Sequence, residues 1–171
     1  LGTGSGAITV ALASQKPGWR FLVTDIQDST LEVARYNFEK FQVNAETLIS
    51  NWYQNIPAQN IPPQNIPPEK FDLIISNPPY IEADDPHLQQ GDLCYEPQIA
   101  LASGPDGLDA IRQITAGCRQ YLRPKGFLML EHGYNQKSGV QRLLNDAGLT
   151  KIETRTDLDG NDRVTVGQLS D

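Results

Sequence analysis

The 171-residue chain is 39% apolar and 20% charged, which suits one soluble domain with a core of its own. Fourteen basic against 21 acidic residues give a net charge of −7, which repels phosphate backbones and disfavours a non-specific nucleic-acid binder. Apolar runs of only a few residues exclude a membrane span, widely separated Cys94 and Cys118 argue against a disulfide scaffold or zinc site and for a reducing cytoplasm, and His87 and His132 are too few for a histidine metal centre.

Helix and strand signals alternate. Ala7 to Gln15 reads as a helix leaving a glycine-rich loop, and Arg20 to Asp25 as a short strand ending in an acid. Ser29 and Glu32 have capping-box spacing for a helix running to about Phe41. Thr47 to Ser50 is a brief strand, and Phe71 to Ser76 is continuous enough for burial on both faces. Leu108 to Leu122 reads as a helix, Pro124-Lys125-Gly126 as a turn and Phe127 to Glu131 as a strand. Gln136 to Ala147 is a helix closed by Gly148, and strands at Lys151–Thr156 and Arg163–Gln168 flank hairpin chemistry at Asp159-Gly160-Asn161-Asp162. The alternation implies an α/β fold, a doubly wound and mostly parallel sheet with one antiparallel strand at the end. Three tandem pentapeptides beginning at Asn55, Asn60 and Asn65 hold five of the 12 prolines. This insert, 55–69, is expected to be an extended mobile loop, either a tolerated surface insertion or a proline-rich docking segment.

Two motifs carry chemistry. Gly2-Thr3-Gly4-Ser5-Gly6 runs into a helix, where glycine lets backbone approach a ligand closely. Its G-x-G-x-G spacing is one residue tighter than the dinucleotide fingerprint, and Asp25, 19 residues after Gly6, could accept hydrogen bonds from both ribose hydroxyls of a nucleoside. The alternative for Asp25 is a helix cap or surface charge. The second motif is Asn77-Pro78-Pro79-Tyr80, directly after the strand Phe71 to Ser76 and so at a carboxyl end, where ligands bind in open α/β sheets. The Asn77 side-chain oxygen and the Pro78 carbonyl can both accept from one planar –NH2 group, and Tyr80 offers a ring face. Neither proline carries an amide hydrogen, so the backbone there is stiff and acceptor-only. The alternative is a rigid turn without a ligand.

Together these features resemble the class I S-adenosylmethionine (SAM) methyltransferases that modify planar nitrogens. Ile81 to Leu88, Tyr95-Glu96-Pro97, Ser103 to Asp109, Glu131-His132-Gly133 and Asp162-Arg163-Val164-Thr165 narrow the resemblance to the HemK/PrmC family, over nearly the whole chain apart from the pentapeptides. That family methylates the glutamine side-chain nitrogen in the Gly-Gly-Gln motif of peptide chain release factors. The resemblance implies that Gly2, Thr3, Gly4, Ser5 and Gly6 surround the methionine part of SAM and that Asp25 holds its ribose. It implies that Trp52 packs on the adenine, with Asn51 beside it where the family commonly has Asp. Trp52 could instead be a hydrophobic cap beside the insert. Asn77 would contact cofactor and substrate amide, with Pro78, Pro79 and Tyr80 completing the glutamine pocket. The family carries an acid two residues before the first glycine, on a first strand, and an N-terminal helical domain. The chain begins at Leu1, so it is expected to be a catalytic-domain fragment lacking those parts and folding or binding SAM poorly by itself.

The expected partners are release factors, with no direct nucleic-acid contact, no membrane, no metal and a monomeric state. Alternatives are methylation of a ribosomal-protein glutamine or of an adenine or cytosine amino group. His132 is expected to be a hydrogen-bonded structural histidine and Glu96 a brace for the loop after Tyr80, while Cys118 belongs to the core and His87 and Cys94 have no role.

Overall fold

The computed structural model describes residues 1–57, 70–85 and 101–170. The pentapeptide residues 58–69, and His87, Cys94, Tyr95, Glu96 and Pro97, lie outside them. The chain divides into two compact units, Leu1–Pro68 and Glu69–Asp171. Among the described residues no helix is long and apolar enough to cross a membrane.

In the first unit α1 (Ala7–Gln15) leaves the glycine loop with the bounds its sequence predicts, followed by β1 (Phe21–Asp25), α2 (Asp28–Lys40) and β2 (Ala45–Ile49). β1 and β2 pair in parallel, Asp25 opposite Ile49. Val23, Ala34 and Phe38 form the core, with Val10, Val43 and Ala45 packed against it. The expected capping box is absent. Gln27 is the N-cap and makes no side-chain cap, so Ser29 and Glu32 lie inside the helix. Its start is fixed instead from the strand: Asp25 Oδ1 accepts from the Gln27 amide at 3.3 Å.

The second unit holds β3 (Phe71–Ser76), α3 (Asp109–Tyr121), β4 (Leu122–Glu131), α4 (Lys137–Asp146), β5 (Leu149–Thr156) and β6 (Asp162–Leu169). Its sheet order is β3-β4-β6-β5; β3 and β4 are parallel, and β6 runs against both its neighbours. The fold is thus mixed α/β with parallel pairs and one reversed strand at the end. β4 begins earlier than the sequence suggests. Phe71 faces Leu122 but Leu73 faces Phe127, so Arg123 to Gly126 bulge out of register, with Lys125 at φ 64°. The turn read at Pro124-Lys125-Gly126 is therefore an excursion within one strand. α3 buries Ile111, Ile114 and Cys118 at helical spacing against β4, and α4 buries Val140 and Leu144 against β5 and β6. Burial pushes the Cys118 thiol up to about 11, as suits a core cysteine.

Candidate active site

In the first unit the predicted cofactor residues converge at the carboxyl ends of β1 and β2. Successive strand carbonyls point to opposite edges. The Asp25 carbonyl accepts from the Ser50 amide at 2.8 Å on the β2 side, and the Thr24 carbonyl accepts from the Thr3 amide at 2.9 Å. That second bond docks the glycine loop on the other edge of β1. The Asp25 carboxylate then takes the Gly4 amide at 3.0 Å through Oδ2 and the Gln27 amide through Oδ1. A carboxylate has about four acceptor positions, so two remain for hydroxyl donors. Asp25 is not the helix cap of α2; it ties the glycine loop to that helix.

Gly2, Gly4 and Gly6 all have positive φ, at 59°, 55° and 81°. Their surroundings differ. A Cβ on Gly6 would meet the Phe38 ring at 2.6 Å, a Cβ on Gly2 would rest 3.4 Å from the Trp52 ring, and a Cβ on Gly4 would meet nothing within 4 Å. Gly6 serves packing, while Gly4 faces open space. Ser5 is exposed, and its carbonyl accepts from Asn37 Nδ2 at 2.8 Å.

Trp52 has φ 48°, uncommon for a bulky residue and a mark of a site that over-determines its backbone. Buried Ser50 supplies the determination, donating its hydroxyl to the Trp52 carbonyl at 2.9 Å and accepting from the Asn55 amide at 3.0 Å. The Asn51 carbonyl accepts from the Gln54 amide, closing the turn. Asn55 and Ile56 belong to this turn, and Ile56 is buried. The extended loop expected over 55–69 therefore does not begin at Asn55: the turn needs the Asn55 amide and the Ile56 side chain.

Asn77, Pro78, Pro79 and Tyr80 belong to the second unit and follow β3. Asn77 is exposed, Pro78 buried, and Pro79 and Tyr80 half-buried. The chain beyond them is strapped down. The Ile81 amide donates to Leu101 at 2.9 Å, and the Ile81 carbonyl accepts from Ser103 at 2.8 Å. Ser103 also starts α3, its hydroxyl accepting from the Ala110 amide at 2.8 Å. Burial and then the Glu131 charge hold the Tyr80 phenol above the ordinary tyrosine range, so it stays protonated. Arg163 is paired with Asp157 at 3.1 Å and donates to the His132 carbonyl at 3.3 Å. Two backbone donors of the hairpin, Asp159 and Asn161, complete the Asp157 carboxylate.

His132 is fully buried with both ring nitrogens bonded, to the Gly133 carbonyl and to Thr165, each at 2.8 Å. It is structural, as expected. Sequence reasoning missed Gln136, read only as a helix start, although its side chain reaches the Tyr80 carbonyl. It also gave no role to the Ser103 to Asp109 segment beyond its place in the resemblance. No local sequence signal marks either; in the structure Gln136 is a buried amide at a helix entrance and Gly107 has φ 70°.

These arrangements fit SAM. The open face of Gly4, the spare acceptor positions of Asp25 and the indole over Gly2 are the features a nucleoside with a charged sulfur would use. Release factor glutamine methyltransferase from Xylella fastidiosa is 47% identical over 169 residues, covering 98% of this chain and 58% of the relative. The protein of the same name from Bordetella pertussis is 40% identical, covering 99% and 59%, and that from Pseudomonas aeruginosa 41%, covering 98% and 58%. The chain thus spans a little under three fifths of the curated relatives it matches. The fold is that of a methyltransferase from Pyrococcus furiosus (TM-score 0.67, 17% identity, 99% of this chain and 73% of that one). It is shared with a 16S rRNA methyltransferase of T. thermophilus in complex with AdoMet and guanosine (TM-score 0.67, 18% identity, 99% and 36%). Residues 1–91, more than half of the chain, match the family described as Methyltransferase small domain, and the chain belongs to that family.

Proposed function

We propose that the protein transfers a methyl group from SAM to the side-chain amide nitrogen of the glutamine in the Gly-Gly-Gln motif of peptide chain release factors. One observation carries the reading: a tetrapeptide whose two prolines offer no backbone donor presents exposed Asn77 at the end of β3, with Pro78 buried and the Tyr80 carbonyl held by Gln136. The names of the relatives, 38–47% identical, support the acceptor.

Gly2, Thr3, Gly4, Ser5, Gly6, Asp25, Asn51 and Trp52 would hold SAM. When bound, SAM supplies an electrophilic methyl on a sulfonium sulfur. A primary amide is a poor nucleophile because its nitrogen lone pair is delocalised. The Asn77 side-chain oxygen and the Pro78 carbonyl accept its two hydrogens and fix the –NH2 plane, with Pro79 and the Tyr80 ring bounding the pocket. The same acceptors stabilise positive charge developing on the nitrogen, whose proton leaves to water. Positioning of this kind contributes about 7–11 kcal/mol to barrier reduction.

The test incubates the full-length protein with labelled SAM and, separately, a release factor, DNA, a ribosomal protein or no acceptor. The reading expects label on the Gly-Gly-Gln glutamine, lost in Asn77→Ala while SAM binding stays within a few-fold. Label on DNA or on the ribosomal protein, or undiminished turnover in Asn77→Ala, overturns it.

A further inference from the structure

Gln136 is the N-cap of α4 and 8% exposed. Its side-chain amide is fully engaged, and the partners leave no choice of orientation. Oε1 accepts from the Gly133 amide at 2.8 Å; Nε2 donates to the Tyr80 carbonyl at 2.9 Å and to the Asp106 carbonyl at 3.1 Å. One buried amide thus joins the end of the acceptor tetrapeptide, the turn before α3 and the turn after β4. Gly107 closes the same knot from another side. A Cβ there would collide with the Tyr80 carbonyl oxygen and crowd Gln136 Nε2.

We propose that Gln136 is a positioning residue for methyl transfer: by donating to the Tyr80 carbonyl it sets the pose of the acceptor loop that presents Asn77. The inference rests on the proposed function for its meaning, and its geometry stands by itself. The Tyr80 carbonyl is a half-buried acceptor two peptide units beyond the Pro78 carbonyl. Between them the Pro79 ring locks one torsion, and just beyond them Ile81 is bonded to Leu101 and Ser103. A donor at Tyr80 O therefore restricts the directions open to Pro78 O. Loss of that donor lets the loop turn, and misplacement by about 1 Å costs on the order of 100-fold in rate.

Gln136→Glu and Gln136→Met separate this role from simple packing. Glutamate keeps the shape and the acceptor for Gly133, but as a carboxylate cannot donate to either carbonyl. At pH 8.5 its kcat on release factor falls on the order of 100-fold, with KM for SAM unchanged. Burial and two facing carbonyls raise the new carboxyl above the ordinary range. As pH falls it protonates, regains one O–H donor for Tyr80, and its kcat relative to wild type rises. Gln136→Met loses kcat by a similar factor with a flat ratio across pH. The neighbouring ionisable groups are common to all three proteins: the Asp106–Arg112 and Lys137–Asp162 pairs, His132, Glu131, the Tyr80 phenol and Arg163. Methionine carries no buried charge, so it serves if the glutamate variant fails to fold. Hydrogen exchange at the Ile81 amide, bonded to Leu101 next to the tetrapeptide, reads the loop without any acceptor and should speed by about tenfold in Gln136→Met. Wild-type kcat in both variants, equal pH ratios for the two, or unchanged Ile81 exchange overturns the proposal. Wild-type protein that fails to label release factor overturns the functional reading instead, and the exchange measurement still decides the role of Gln136.

Discussion

His132 and Thr165 are joined side chain to side chain across the β4–β6 pair, ring Nε2 to hydroxyl at 2.8 Å. The bond is one link of a directed chain. Gln141 Nε2 donates to Thr154 at 3.0 Å, and the Thr154 and Thr165 hydroxyls lie 2.8 Å apart. At the far end the Gly133 carbonyl can only accept, so His132 Nδ1 carries the hydrogen and Nε2 accepts from Thr165. The chain is complete with a neutral ring. Burial, the largest cause, holds the His132 pKa below its ordinary 6.5. The unfolded chain therefore binds the extra proton first as pH falls, and stability should decline below pH 6.5 toward the lower folded value. The slope is at most about 1.4 kcal/mol per pH unit. Urea unfolding between pH 7.5 and 5 should show the gap between wild type and His132→Asn shrinking at low pH. Parallel profiles would contradict the neutral chain.

Gly4 and Gly6 are two residues apart and should fail in opposite ways. Gly6→Ala drives a methyl into Phe38 and Ala34 of the core and keeps an unfavourable φ. Left-handed strain of about 1–2 kcal/mol adds to overpacking of about 1–3 kcal/mol. Gly4→Ala carries the strain alone, because its Cβ meets nothing. In the proposed site that methyl occupies the face SAM approaches. Melting temperature should drop far more for Gly6→Ala, and SAM affinity by calorimetry should drop selectively in Gly4→Ala. The reverse order would mean the open face of Gly4 is not where the cofactor lies.

How much of this was legible follows the range of the signals. α1 and β3 match the sequence residue for residue, because a glycine loop and a short, mainly apolar run are local signals. The β5–β6 hairpin was equally readable from Asp159 to Asp162, where Gly160 takes φ 85°. The capping box failed because the Asp25 carboxylate, not Ser29, meets the entrance of α2. The two site motifs were visible as motifs, since glycines and prolines announce backbone requirements. Their supports were not. Gln136 meets Tyr80 across 56 residues, and Thr165 meets His132 across 33, so no local pattern records either bond.

Asp25→Asn should weaken SAM binding while leaving the fold intact. The carboxylate now serves two backbone amides, Gly4 and Gln27, and in the proposed reading the ribose hydroxyls as well. An asparagine turns one acceptor into a donor, which must face either an amide N–H or solvent. Hydrogen bonds to a charged group are worth about 1.5–3 kcal/mol, so Kd for SAM should rise by about 10- to 100-fold. Asp25→Glu should not rescue it, because the longer side chain cannot keep the Gly4 amide and the ribose together. Unchanged SAM affinity in Asp25→Asn would remove Asp25 from the cofactor site.

Thr24, beside Asp25 on β1, should be improved by substitution. Its side chain is 1% exposed, and among the described residues its hydroxyl has no hydrogen-bond partner. A buried unsatisfied hydroxyl costs about 1–3 kcal/mol, whereas its backbone carbonyl, bonded to Thr3, is indifferent to the side chain. Thr24→Val keeps the β-branched shape that suits a strand and replaces the hydroxyl with a methyl. Stability should rise by about 1 kcal/mol, a gain of about 2–4 °C in Tm for a domain of this size. Thr24→Ser keeps the hydroxyl, loses the methyl and should fall below wild type. Thermal unfolding of the three proteins gives the order valine above threonine above serine. A valine variant less stable than wild type would show that the hydroxyl is satisfied in the folded protein.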